Sequence, residues 1–239
     1  MIKRFALLFA LLAAPAVAQG TADLDRLYGS RDWRGVSERL RMANSEADAR
    51  AALQWAAAKV LDGAPHAVAL AYSDLLWRIG QGRGDDSLKH EAAIVTLYSV
   101  ALAAVDGAAC LDRTAIEARV NQILSATGPR ITLLRNLPAE QRQDARARVT
   151  SLEQTTFLRR PEDQDICRAG QGEITRQLRE PGTEVIEQPL RQGQASRTVD
   201  IRPGPTYRPQ MYTLQEARVR REVQRQQRLP ALLRDLVPN

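Results

Sequence analysis

Along most of the first 150 residues, apolar side chains recur at steps of three and four, the period of a helix with one buried face. Thr21–Tyr28 and Asp32–Met42 read as two short helical pieces, the second capped by Asp32 and carrying Trp33, Val36 and Leu40 on one side. Ser45 and Asp48 mark the next start, and Ala51, Trp55, Ala58 and Leu61 follow on one face. Gly63 ends that helix and Pro65 opens another, with a stripe of Val68, Tyr72, Leu75, Leu76 and Ile79. The run Gly80–Asp86, with alternate glycines, predicts a flexible loop.

The pattern then changes. From Ile94 to Val105 every residue is apolar except Thr96 and Ser99. A helix that is apolar all round must be enclosed. This one is short for a membrane span and is bracketed by Glu91 and Asp106, so it predicts the core helix of the protein, capped by Asp85 or Asp86 and stopped at Asp106-Gly107. Asp112 caps a further helix with Ile116, Val120, Ile123 and Leu124 on one face, and Thr127-Gly128-Pro129 breaks it. A short apolar piece, Ile131 to Leu137, precedes a polar helix begun by Pro138, in which only Ala145, Val149 and Leu152 form a thin stripe.

At about Gly170 helical periodicity gives way to Gly, Pro, Gln and charge. Residues 169–212 read as an extended linker, with one short strand around Thr198–Ile201. Thr213 and Glu216 then form a capping box for an Arg- and Gln-rich helix that runs to Arg228 and is interrupted by Pro230. Leu232, Leu233, Leu236 and Val237 make a terminal apolar patch suited to docking back on the domain.

Composition changes this picture in three ways. Met1–Arg4 is basic, Phe5–Ala14 is apolar, and Ala16-Val17-Ala18 is a small-x-small site. Residues 1–18 therefore read as a signal peptide cleaved between Ala18 and Gln19, placing the mature chain in the periplasm or outside the cell, with no membrane span after cleavage. The formal charge is +6, and of 34 basic residues only Lys3, Lys59 and Lys89 are lysine. Acids are interspersed through most of the chain, which argues against a nucleic-acid partner. Around the terminal helix, however, Arg218, Arg220, Arg221, Arg225 and Arg228 cluster and are candidate contacts to a polyanion. Finally, two cysteines in an exported chain, Cys110 and Cys167, are most simply one disulfide, since a redox pair would want Cys-x-x-Cys spacing.

Catalytic motifs are not found. His66 and His90 have no ligand partners at zinc spacing, and no catalytic residue, metal site or cofactor is assigned. Gly80–Asp86 lacks the strand and Gly-Lys-Ser/Thr that a phosphate loop needs. There is no Gly-x-Ser-x-Gly, Ser-x-x-Lys or His-Glu-x-x-His. Asp85-Asp86 and Glu162-Asp163 are adjacent acids of the sort that usually stay solvated.

Residues 47–79 and the helix after them resemble tetratricopeptide-like hairpins in a general way, without the full repeat. A more particular likeness lies in Val105–Asp112, with its Asp106-Gly107-x-x-Cys110 segment, and in Cys167-Arg168-x-Gly170. With the basic end and its Leu229-Pro230-x-Leu232-Leu233, these resemble a group of uncharacterised secreted helical proteins of proteobacteria, over roughly residues 90–239. The resemblance implies a shared disulfide and fold and brings no activity with it.

The expectation is a mainly α, irregular multi-helix bundle of helical hairpins with one disulfide: a signal peptide at 1–18, a helical domain at 19–168, an extended linker at 169–212 and a basic helical segment at 213–239. The function expected first is non-catalytic, a cell-envelope binding or scaffolding protein that offers a helical surface to a protein or peptide. Alternatives are an envelope hydrolase with an unidentified carboxylate site and a binder of anionic envelope polymer or lipid through the terminal arginines.

Overall fold

A computed structural model describes residues 14–187 and 199–239, and within them the side chains from Thr21 onward other than Asp200. Residues 1–13 of the expected signal peptide and 188–198 of the expected linker lie outside the described residues. The fold is mainly α, as the periodicity predicts. In chain order it has α1 (Ala14–Gly29), α2 (Trp33–Arg41), α3 (Glu46–Leu61), α4 (His66–Arg83), α5 (Asp86–Asp106), α6 (Thr114–Arg135), α7 (Ala139–Thr156), α8 (Gln164–Cys167) and α9 (Gln171–Arg179). A two-stranded antiparallel ribbon, β1 (Glu184–Glu187) and β2 (Val199–Arg202), comes next, followed by α10 (Leu214–Val223), a π turn (Gln224–Arg228) and α11 (Leu229–Leu236).

The capping residues named from the sequence hold these starts. Asp32 accepts the Gly35 N–H at 2.9 Å, Ser45 the Asp48 N–H at 3.1 Å, and Asp85 the Leu88 N–H at 3.0 Å. The two predicted breaks are present but shorter than the sequence suggests. Helix α4 passes through Gly80 and Gly82 and stops only at Gly84, whose left-handed backbone (φ 66°) closes the last turn. At Thr127-Gly128-Pro129, as expected, the helix is broken: α6 is two helical segments joined at a kink, where Thr127 departs from helical backbone (φ −124°, ψ 18°) just ahead of Pro129, whose ring would clash inside a regular helix.

The chain divides into two units. The first comprises the described residues through Ser99, Thr127–Pro161 and Arg234–Asn239. Its core joins α1 to α4 through Leu24, Val36, Leu40, Ala56, Val68 and Leu75. The polar exceptions in the apolar run are buried and bonded. Thr96 shares a hydrogen bond of 2.6 Å with Ser73, to which Arg130 also donates at 3.0 Å, and Ser99 donates to the His66 carbonyl at 2.9 Å. Arg130 pairs with Asp74 at 2.6 Å. The Glu153–Arg160 ion pair, at 2.7 Å, has both side chains 0% exposed; the polar helix α7 thus contributes a buried charge that its thin apolar stripe gives no sign of. The chain's end is held here too: Arg135 donates to the Leu236 carbonyl at 2.7 Å, Arg142 to Pro238 at 2.8 Å and Arg146 to Val237 at 2.5 Å.

The second unit comprises Val100–Ala126 and Glu162–Leu233. The boundary expected at 168/169 is thus not where packing divides the chain. The stretch expected to be an extended linker carries α9 and the ribbon, in which Val185 faces Ile201 across the pair, and it belongs to the same unit as the end of α5. Asp86–Ala109 is long and apolar enough to cross a membrane, but 94% of its most apolar 18-residue window is buried within the protein, so it serves as core.

Candidate functional site

Helix α5 ends at Asp106, and a 3-10 turn, Gly107–Ala109, delivers Cys110. Gly107 is required by close packing: a Cβ there would stand 2.8 Å from Ile116 Cγ1 and 3.1 Å from Ile166 Cγ2. Cys110 bonds Cys167, with Cα atoms 5.2 Å apart. Asp112 accepts the Thr114 N–H (3.0 Å) and hydroxyl (2.7 Å) at the start of α6, and its other oxygen accepts the N–H groups of Gly172 (2.8 Å) and Glu173 (3.2 Å) at the start of α9. One carboxylate therefore caps two helices. Burial disfavours its charge, but the Thr114, Glu173 and Gly172 donors outweigh that and hold its pKa below the ordinary aspartate value. Gly170 sits directly on this carboxylate, where any Cβ would strike it.

The strand-like segment 210–212 is tied to the same turn. Leu111 donates to the Gln210 carbonyl (3.2 Å) and Tyr212 to the Ala109 carbonyl (2.9 Å) around the Cys110–Met211 bridge. Glu173 fastens it from the other side, accepting from Arg176 at 2.7 Å, from the Gln210 N–H at 3.0 Å and from the Tyr207 hydroxyl. Burial and the Glu173 carboxylate push the Tyr207 phenol above its ordinary range. The Thr213–Glu216 capping box then launches α10 across the Gly107–Ala109 turn.

Between that turn, the start of α6 and α10 lies a half-open groove of about 400 Å³. Ala108 and Ile116 line one side and Val219 and Val223 the other, the two valines 59% and 44% exposed. Arg113, Arg220 and Arg228 stand around it, and no carboxylate is among its lining residues. The Arg220 guanidinium lies 3.7 Å from the centre of the Tyr212 ring. A contact that short uses the flat face of the guanidinium and leaves its N–H edge directed elsewhere.

The five arginines named from the sequence differ in their settings. Arg221 is half-buried and paired with Asp106 at 2.7 Å, and Arg225 is paired with Glu222 at 2.5 Å, which holds the Glu222 carboxyl below its usual range. Arg218 is exposed, while Arg220 and Arg228 line the groove. Arg113, Tyr212, Val219 and Val223 were not signalled by the sequence, and Ile116 only as part of the apolar face of α6. Val219 and Val223 stand four apart on a helix, the only local hint, and Arg113 looks like any loop arginine until the fold brings it beside α10.

The chain matches no family model, no curated protein and no solved structure. None of the acid and histidine candidates named from the sequence is among the groove's lining residues. Asp85 caps α5, Asp86 pairs with Lys89 at 2.8 Å, and Asp163 accepts the Asp165 N–H at 3.1 Å. His66 is buried and His90 half-buried. Among the described residues no three His, Cys, Asp or Glu side chains gather as a metal site would need.

Proposed function

We propose that this chain is an exported, non-catalytic binding module of the cell envelope, and that the groove beside α10 receives a peptide segment of a partner protein. The observation that carries this is the groove's construction. Two valines are left in water on one wall, while the opposite wall is fixed by a disulfide, a double helix cap and a backbone bridge. Rigid walls lower the ordering cost of binding. The leader-like N-terminus and the disulfide both support export to an oxidising compartment. The residues that carry the resemblance, Asp106, Gly107, Cys110, Cys167 and Gly170, all serve as joints, which supports reading it as a shared fold.

The test is a random-peptide display selection on the purified full-length chain. Expected are enriched peptides whose binding is lost in Val219→Asp/Val223→Asp, a variant that leaves the helical circular dichroism unchanged because both side chains are already exposed. A selection that enriches nothing above the bare support, or peptides that bind the double variant equally well, overturns the proposal.

A further inference from the structure

We infer that the groove's occupant is an acidic peptide segment with a branched apolar residue beside its carboxylates; this rests on the binding-module reading above. Three arginines from two separate stretches converge there: Arg113 from the loop before α6, and Arg220 and Arg228 from the continuous run of α10 and the π turn. Elsewhere in this unit Arg168, Arg176, Arg221 and Arg225 each reach a carboxylate of the chain itself, at 3.3, 2.7, 2.7 and 2.5 Å. The groove's three face a cavity lined by no acid. Like charges gathered in this way are complementary to an anion. Arg220, steadied through its face by Tyr212, offers the planar N–H fork that suits a carboxylate.

The apolar walls decide between a peptide and a membrane. A helix that lies on a bilayer needs an apolar face to insert. Here the apolar residues that follow the arginines, Leu229 and Leu233, are each 2% exposed, so they are already covered by protein. What remains is Val219 and Val223, set inside a concavity facing Ile116. A recess of this size takes side chains, within the usual range for ligand sites.

The test uses fluorescence anisotropy on the full-length chain with two labelled peptides of equal length, one alternating Glu and Leu, the other with every Glu replaced by Gln. Phosphatidylglycerol vesicles are assayed in parallel by sedimentation. The acidic peptide is expected to bind about tenfold more tightly than its Gln counterpart at low salt, the gap closing in 0.5 M NaCl as the charges are screened. Arg113→Glu/Arg220→Glu/Arg228→Glu should abolish the preference, whereas Arg218→Glu, exposed outside the groove, should change affinity less than about twofold. Equal binding of the two peptides would overturn the acidic class and leave the binding-module reading standing. No binding of either peptide would likewise overturn the acidic class, and vesicle binding in that case would assign the arginines to lipid headgroups; the binding-module reading itself falls only with the display selection.

Discussion

A carboxylate that closes two helices at once has a pH signature. The Asp112 pKa is lowered in the folded chain, against its burial, by donors from Thr114, Glu173 and Gly172. A carboxyl with a lowered folded pKa contributes stability that is present above its unfolded pKa, near 4, and is lost as pH falls through the folded value. In Asp112→Asn, the side chain can still cap α6, because asparagine is a good N-cap. It cannot serve both helices with two acceptor oxygens. Urea unfolding at pH 7 should show a loss of about 1–2 kcal/mol, and the gap between variant and parent should narrow between pH 4 and pH 2. A gap that stays constant across that range would contradict the assignment. Asp112 was legible from the sequence as the cap of α6 alone. Its second partners lie about sixty residues on, at Gly172 and Glu173, and pairing over that distance leaves no local period to read. Gly170 was hidden for the same reason: only the folded chain shows that its missing side chain makes room for Asp112.

At the level of elements, periodicity located the helices, and the break read at Thr127-Gly128-Pro129 is the kink of α6. The loop read from Gly80 onward begins only at Gly84, since α4 continues through Gly80 and Gly82. Local propensity costs a helix about 1 kcal/mol per glycine, which tertiary packing easily outweighs. Pro230 shows how the backbone accommodates the ring. It has no N–H and would crowd the Gln226 carbonyl in a regular helix. Instead the preceding turn widens, the Leu229 N–H reaching back five residues to the Gln224 carbonyl, and α11 continues beyond. If this turn exists to seat Pro230, the two features are coupled. Deleting Gln227 removes the extra residue and forces a regular turn; with Pro230 in place this should cost about 3 kcal/mol. In Pro230→Ala the same deletion should cost less than about 1 kcal/mol. Denaturant unfolding of the four chains gives the coupling directly. Equal costs in both backgrounds would show that the wide turn has another origin.

For the whole molecule, the composition break at Gly170 suggested a domain followed by an appendage, and packing assigns the residues otherwise. Residues 162–233 belong with 100–126, and 234–239 with the first unit. Charge and glycine content report what a segment is made of, and the partners that make it fold, Cys110 and Asp112 for α9, lie far back in the chain. The basic end is the sharpest case. Leu229, Leu233, Leu236 and Val237 are 2%, 2%, 8% and 0% exposed, and the carbonyls of Leu236, Val237 and Pro238 are each held by an arginine of the first unit. Burying four such side chains contributes on the order of 6 kcal/mol or more, comparable with the whole stability of an ordinary domain. A chain ending at Arg228 keeps all five clustered arginines, so a detachable basic tail would leave its melting temperature unchanged. The burial instead predicts loss of the cooperative thermal transition followed by circular dichroism, together with rapid proteolysis under conditions where the full chain resists. Removing Asn239 alone, an exposed residue, should leave the transition within about 2 °C. Binding by the arginines is for that reason separable from folding only by substitution at Arg113, Arg220 and Arg228, since a truncation long enough to remove the charge would take the buried terminal side chains with it.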